Sequence, residues 1–380
     1  MSDGNHMQRG ILPALALLLC FATNGSASAS GAEGGASIGI ATVNIAWEKP
    51  QDVKATFAEI ADAGFSTIRI GFKNPVPSSY AALLAAKEAG LNVLITFPLI
   101  DGNVSAIDAV PRARAKRFFQ AYGLSQVDPV RFQARLDDLL DFVAQRQIPV
   151  VGLEVGNELN WSGYNGDLPL GKAGIAATDW RDLPSDVAAR FEAGVTRYRH
   201  LLEIARASLD AREALGGVKL VSAGLADINS GFIRQSGATY IAPHLVYEAY
   251  ARQRLFDAID IVGIHLYEPL RAASDAAARS MMIEAQLAAC GEAGFGDRPC
   301  WITEFGSALP QEICAPDDAQ RIALLRPLLD RLAQPDGARA VPVAFYYDWN
   351  ADKGFALKRC GRATALVETL SRADGAAAQP

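Results

Sequence analysis

Residues 52–72, DVKATFAEIADAGFSTIRIGF, hold the change of period on which the fold turns. Val53, Phe57 and Ile60 recur at three- and four-residue spacing, the stripe of an amphipathic helix. Gly64 is the turn glycine that stops it, and Thr67 to Phe72 then reads as a short strand, apolar on both faces as a buried parallel strand is. The cadence repeats, with Gly90 before Leu91 and a second run from Asn92 to Phe97. Reading outward, further strands are predicted at Ile38 to Ala46, Val150 to Val155, Lys219 to Ala223, Ile261 to His265, Cys300 to Thr303 and Val341 to Tyr347. Amphipathic stretches separate them, such as Phe132, Leu136, Leu139, Leu140 and Val143. Eight such units predict an α/β chain closed into a single-domain (β/α)8 TIM barrel over residues 30–373. A doubly wound sheet is the alternative, but no Gly-x-Gly-x-x-Gly turn follows the first strand.

The 380 residues are half apolar, enough for a sizeable core, and the net charge is -6 with Lys and Arg scattered. No basic stripe runs along a phosphate backbone, so no nucleic acid partner is expected. Arg9, the apolar run Ile11 to Ala22 and Ala27-Ser28-Ala29 read as a secretory signal peptide over 1–29. That run is shorter than the roughly 20 apolar residues a membrane-spanning helix needs. The mature protein is therefore expected to be periplasmic or secreted, without stable membrane insertion. Residues 374–380 read as a disordered tail.

Four cysteines remain beyond the leader, an even count suited to an oxidising compartment. Cys290 and Cys300 bracket a turn-rich segment and are paired on that ground, which leaves Cys314 with Cys360; three connectivities stay formally open. No cysteine spacing is a zinc pattern, and His244 with Glu248 lacks a third ligand, so no metal and no cofactor is expected. Residues 166–173, GDLPLGKA, resemble a phosphate loop but fall one residue short, carry Pro169, and end in Ala173 where a hydroxyl would hold magnesium.

In a barrel, functional side chains project from the C-terminal strand ends. There the sequence places Arg69, Gly156-Asn157-Glu158, His265-Leu266-Tyr267 and Thr303-Glu304. Glu158 and Glu304, on the fourth and seventh strands, would face each other across one mouth. Hydrolysis of a glycosidic bond with retention needs one carboxylic acid as proton donor and one carboxylate as nucleophile, roughly 5–5.5 Å apart. Arg69 is placed to keep Glu304 ionised, and Tyr267 to donate to it. Trp161 and Trp349 follow strands and are candidates for stacking on a sugar. Trp47 and Trp180 divide evenly between cleft and core. Trp301 alternates away from Glu304 and is predicted to face the surrounding helices. Trp161 to Pro184 is the longest irregular stretch and is predicted to overhang the mouth.

Together, residues 64–70 (GFSTIRI), 156–158 (GNE), 265–267 (HLY), 302–306 (ITEFG) and Trp349 resemble glycoside hydrolase clan A, including the cellulase and mannanase family five. The resemblance runs along the whole mature chain. It implies a glycosyl-enzyme intermediate, Glu158 as acid/base, Glu304 as nucleophile and Asn157 binding the sugar 2-hydroxyl. It also implies His265 and Tyr267 holding nucleophile and sugar, and Trp349 as floor under the reacting sugar. The third strand ends Leu94 to Pro98 without the His that family five often places there, so family thirty-nine, some of whose members trim bacterial exopolysaccharide, fits as well. Either implies a β-linked polysaccharide or oligosaccharide as partner. A non-catalytic glycan-binding barrel is the alternative function.

Overall fold

The computed structural model describes residues 35–115, 118–267, 275–288, 290, 298–308, 318–350 and 354–377. Each predicted strand forms, two of them with the predicted bounds. They are β1 (Ser37–Ala41), β2 (Thr67–Gly71), β3 (Asn92–Phe97), β4 (Val150–Val155), β5 (Lys219–Ser222), β6 (Val262–Leu266), β7 (Cys300–Phe305) and β8 (Val343–Tyr347). They pair in parallel in chain order, and β8 returns to β1. Bridges Val221–Ile261 and Leu225–Ile264 join β5 to β6, so the ring closes except for that thin seam. A doubly wound sheet would keep two open edges; this is a (β/α)8-like barrel.

Helices wrap the ring: α1 (Pro50–Asp62), α2 (Val76–Glu88), α3 (Pro129–Arg146), α4 (Ser185–Asp210), α5 (Ser230–Ser236), α6 (Pro243–Arg252), α7 (Ala276–Leu287), α8 (Ala319–Leu332), α9 (Pro335–Ala340) and α10 (Ala365–Ala377). Helix α3 shows why these segments form. Asp128 caps it by accepting from the amides of Val130 and Arg131, Pro129 opens it, and Phe132, Leu136, Leu139, Leu140 and Val143 are buried. Outward-facing strand residues such as Ile38, Ile40, Ile68, Ile70, Val93 and Ile95 meet these stripes in the main core.

Inside the ring a second, smaller apolar cluster joins Ala41, Leu94, Val221, Ile261, Trp301 and Phe345. Trp301 therefore faces the lumen, not the helices as strict alternation predicts. The reason is a bulge: Ile264 pairs with Ile302, but the next residue, His265, pairs with Glu304, leaving Thr303 as an extra residue. That insertion turns Trp301 and Glu304 to the same side. Room for the indole comes from Gly152, where a Cβ would lie 2.7 Å from Cζ3 of Trp301. The apolar cluster plugs the barrel below, and the polar residues of the site lie above it.

The segment after β4, predicted to overhang the mouth, is tied down at several points. The Asn160 side-chain amide donates to the carbonyls of Ala226 and Ile241, Trp161 bridges to Tyr240, and Ile175–Ala177 pairs with Thr239–Ile241. Cys290 and Cys300 are joined, as the turn-rich segment predicts. Cys360 is also disulfide-bonded, while Cys314, its expected partner, lies outside the described residues. So does the signal peptide over 1–29. Helix α10 runs to Ala377, past Asp374 where the disordered tail was expected to begin. Among the described residues no helix is long and apolar enough to cross a membrane.

Candidate active site

The polar layer is organised by Arg69, on the inner face of β2 and fully buried. Its Nε donates to Oε2 of Glu154 at 2.7 Å, its Nη1 to Oε1 of Glu304 at 2.5 Å, and its Nη2 to Oδ1 of Asn157 at 2.7 Å. One planar cation thus ties β2, β4 and β7 together. A buried guanidinium is tolerable only when its donors and its charge are matched. Burial alone lowers the guanidinium pKa, but Glu154 and Glu304 outweigh it and hold the group charged. Glu154 is satisfied in turn, its Oε2 accepting from Thr96 at 2.7 Å and its Oε1 from the amide of Gly224 at 3.1 Å.

Glu304 is 8% exposed. Besides Arg69 it accepts from the Tyr267 hydroxyl at 2.9 Å through Oε2. Burial works against its charge, yet His265 and Arg69, with the Tyr267 hydrogen bond, hold the carboxyl below the usual range. Tyr267 is pushed the opposite way, well above the usual phenol range, by burial and by Glu304, so it remains a protonated donor.

Glu158 follows β4 in a different setting. Its φ of +49° lies in the left-handed region, unusual for a side chain larger than glycine, and Gly156 at +91° turns the chain toward it. The backbone N–H of Glu158 donates to the Gly224 carbonyl at 2.8 Å. Its carboxylate takes two side-chain contacts, the Trp161 indole N–H on Oε2 at 2.9 Å and His265 Nδ1 on Oε1 at 3.1 Å. Among the described residues no guanidinium or ammonium pairs with it.

His265 stands between the two acids, with Nδ1 also 3.8 Å from Oε2 of Glu304. Burial lowers its pKa most, but Glu304 and Glu158 together leave the net direction upward. Its ring rests against Gly224, where a Cβ would come within 2.3 Å of Nε2. An oxygen of Glu158, an oxygen of Glu304 and a nitrogen of His265 lie within 4.8 Å of one another. Donors that close have the spacing of a metal site. Both oxygens of Glu304, however, already accept from Arg69 and Tyr267, and the guanidinium beside them repels a second cation.

Above these groups opens a cavity of about 470 Å³ lined by Glu158, Trp161, Asp227, Ile228, Asn229, Phe232, Tyr267, Glu304, Tyr347 and Phe355. The structure thus brings together Arg69, Asn157, Glu158, Trp161, His265, Tyr267 and Glu304. Trp349 is not with them. It is 3% exposed, edge-on to Phe65, with its indole N–H on Oε2 of Glu59 in α1 at 3.2 Å. Strand β8 ends at Tyr347, and the turn that follows sends Trp349 to the helix layer. Tyr347, two residues earlier, is the aromatic that reaches the cavity. Trp47 is exposed and Trp180 partly buried.

Glu154 is the main omission of the sequence reading, because it lies inside a strand taken as apolar on both faces. Its signal was available: four residues before Glu158 and at an alternate position from Gly152, it is a charge that has to be paired inside a barrel. Asp227 and Phe355 come from loops and carried no periodic signal.

No protein-family model matches the chain, and no curated protein matches it in sequence. Solved structures do resemble it in fold. An exo-β-1,4-mannosidase from Opitutaceae bacterium strain TAV5 superposes with a TM-score of 0.55 at 13% identity, over 92% of this chain and 62% of that one. This chain therefore spans less than two thirds of that mannosidase. A fungal β-1,4-galactanase gives 0.56 at 14% identity over 88% of this chain and 99% of that one. A β-glucosidase from Thermotoga maritima gives 0.56 at 13% identity over 91% and 99%. At such identities the likeness is one of fold, and it extends across several clan A glycoside hydrolase families without selecting one.

Proposed function

We propose that this chain is an exported retaining glycoside hydrolase acting on β-linked polysaccharide or oligosaccharide, with Glu304 as nucleophile and Glu158 as general acid/base. The observation that carries the reading is the pair of carboxylate oxygens within 4.8 Å in unlike surroundings. Oxygens that approach this closely support the roughly 5–5.5 Å carboxyl separation of retaining enzymes over the roughly 6.5–9.5 Å that admits a water between the acids. Two carboxylates so close resist ionising together. Arg69 pairs with Glu304 and not with Glu158, which supports Glu304 as the anion and Glu158 as the proton donor.

The steps follow from that division. Glu158 gives its proton to the glycosidic oxygen as the bond to the anomeric carbon breaks, and a Glu304 oxygen bonds to that carbon from the opposite face. Glu158, now a carboxylate, takes a proton from water, whose oxygen displaces Glu304 and restores both groups. His265 and Trp161 fix the Glu158 carboxyl, and Tyr267 and Arg69 fix Glu304. Asn157 has its Oδ1 on Arg69, so the amide hydrogens are what it offers a 2-hydroxyl. Asp227, Tyr347 and Phe355 would contact neighbouring sugar units. The scheme uses no metal or organic cofactor.

The test is a pair of variants on an activated aryl β-glycoside. Glu304→Ala should abolish turnover in a folded protein, and a loss below about tenfold contradicts its role. Glu158→Ala should regain activity with added azide, which needs no acid/base, and yield the glycosyl azide. Binding of oligosaccharide with no release of reducing ends by the wild-type protein would select the glycan-binding barrel instead.

A further inference from the structure

Among the described residues the cavity walls carry three carboxylates, Glu158, Asp227 and Glu304, and no Lys or Arg. Positive charge gathers instead at the end of β2. Strand alternation puts Gly71 on the inner face directly above Arg69, paired across to Thr96. Lys73 folds back over that bare position: a Cβ on Gly71 would lie 2.6 Å from its Cε and 3.4 Å from its Nζ. The ammonium therefore hangs over the inner face of the barrel mouth, above the guanidinium that holds Glu304. It makes no salt bridge among the described residues. Its contact is the face of Trp47, with Nζ 5.2 Å from the ring centroid.

Trp47 is 61% exposed. A ring that open is usually free to swing, but its indole N–H donates to the Asn74 carbonyl at 3.0 Å. Asn74 is held by Asp101 at 3.1 Å and by Arg135 at 2.6 Å. A braced aromatic plate thus stands beside an ammonium that no carboxylate pairs with among the described residues. Burial first, then Arg69, pushes that ammonium down to about 8, against the pull of Glu304 and Asp101. An arriving anion would relieve both costs.

We propose that Trp47 and Lys73 form a subsite for a hexuronic acid unit, the indole taking the apolar face of the pyranose and the ammonium its C6 carboxylate. The inference rests on the glycosidase reading and adds a substrate class to it. Acidic units are repelled by the carboxylates of the described cavity walls and attracted to the β2 side.

The probe is an oligosaccharide of alternating β-1,4-linked glucuronic acid and glucose, compared with the same oligosaccharide after carboxyl reduction to all-neutral sugars. The wild-type protein should hydrolyse the acidic form with kcat/KM at least about tenfold higher, the size of one charge-assisted hydrogen bond. Lys73→Met should bring that ratio close to one, and Lys73→Arg should keep most of it. If Lys73 acts only on the charge of Glu304, both substrates change together and the ratio stands, which overturns the subsite. Equal or faster cleavage of the reduced form by the wild-type protein overturns it too. Release of reducing ends from neither substrate counts against the glycosidase reading as well, so the two failures are told apart.

Discussion

Arg69 does more than any other side chain to divide labour between the two acids. It donates to Glu304 and not to Glu158, so one carboxyl is held anionic while the other keeps softer partners, an indole and an imidazole. As the proposed nucleophile Glu304 must be ionised, and its pKa is lowered partly by this cation. On the proposed mechanism, activity should extend to pH values below the usual glutamate range and fall as Glu304 takes up a proton. Arg69→Met should lower kcat/KM about a hundredfold, as loss of one preorganised charged donor does, and move the acidic limb of the pH profile upward. A variant whose acidic limb stays in place would show that Arg69 serves only as the structural partner of Glu154.

The elements explain which of these residues the sequence revealed. Parallel strands buried on both faces read as short apolar runs, and each of the eight was legible for that reason. A polar residue at the end of such a run stands out, which exposed Glu158, His265, Tyr267 and Glu304. Facing was harder to read than position. The extra residue at Thr303 depends on how β7 registers against β6 and β8, which composition does not encode, so Trp301 was placed on the wrong side. Trp349 failed for a similar reason, because the turn after Tyr347 decides whether a side chain enters the mouth or the helix layer. Gly224 belongs at this scale as well, since the chain just past β5 makes room for His265. Gly224→Ala would set a methyl within 2.3 Å of that ring. The imidazole would leave Glu158, with an overpacking cost of roughly 1–3 kcal/mol. We expect a melting temperature lowered by a few degrees and kcat down at least about tenfold; an unchanged kcat would mean that His265 does not orient the acid.

Across the whole molecule the barrel acts as a stage of fixed depth. Trp301 and Phe345 fill its lower part, so the ion-paired layer rests on an apolar floor, and the acids emerge at one rim beneath an aromatic-walled cavity. Strand order brings Glu158 and Glu304, 146 positions apart in sequence, within 4.8 Å. The low-dielectric floor strengthens each charge contact above it. The central claim is that this gap admits a covalent intermediate and no intervening water. The most direct measurement is the configuration of the first sugar released from an aryl β-glycoside, followed by proton NMR before mutarotation. The account predicts the β-anomer, formed by two displacements at the same carbon; initial release of the α-anomer would contradict it.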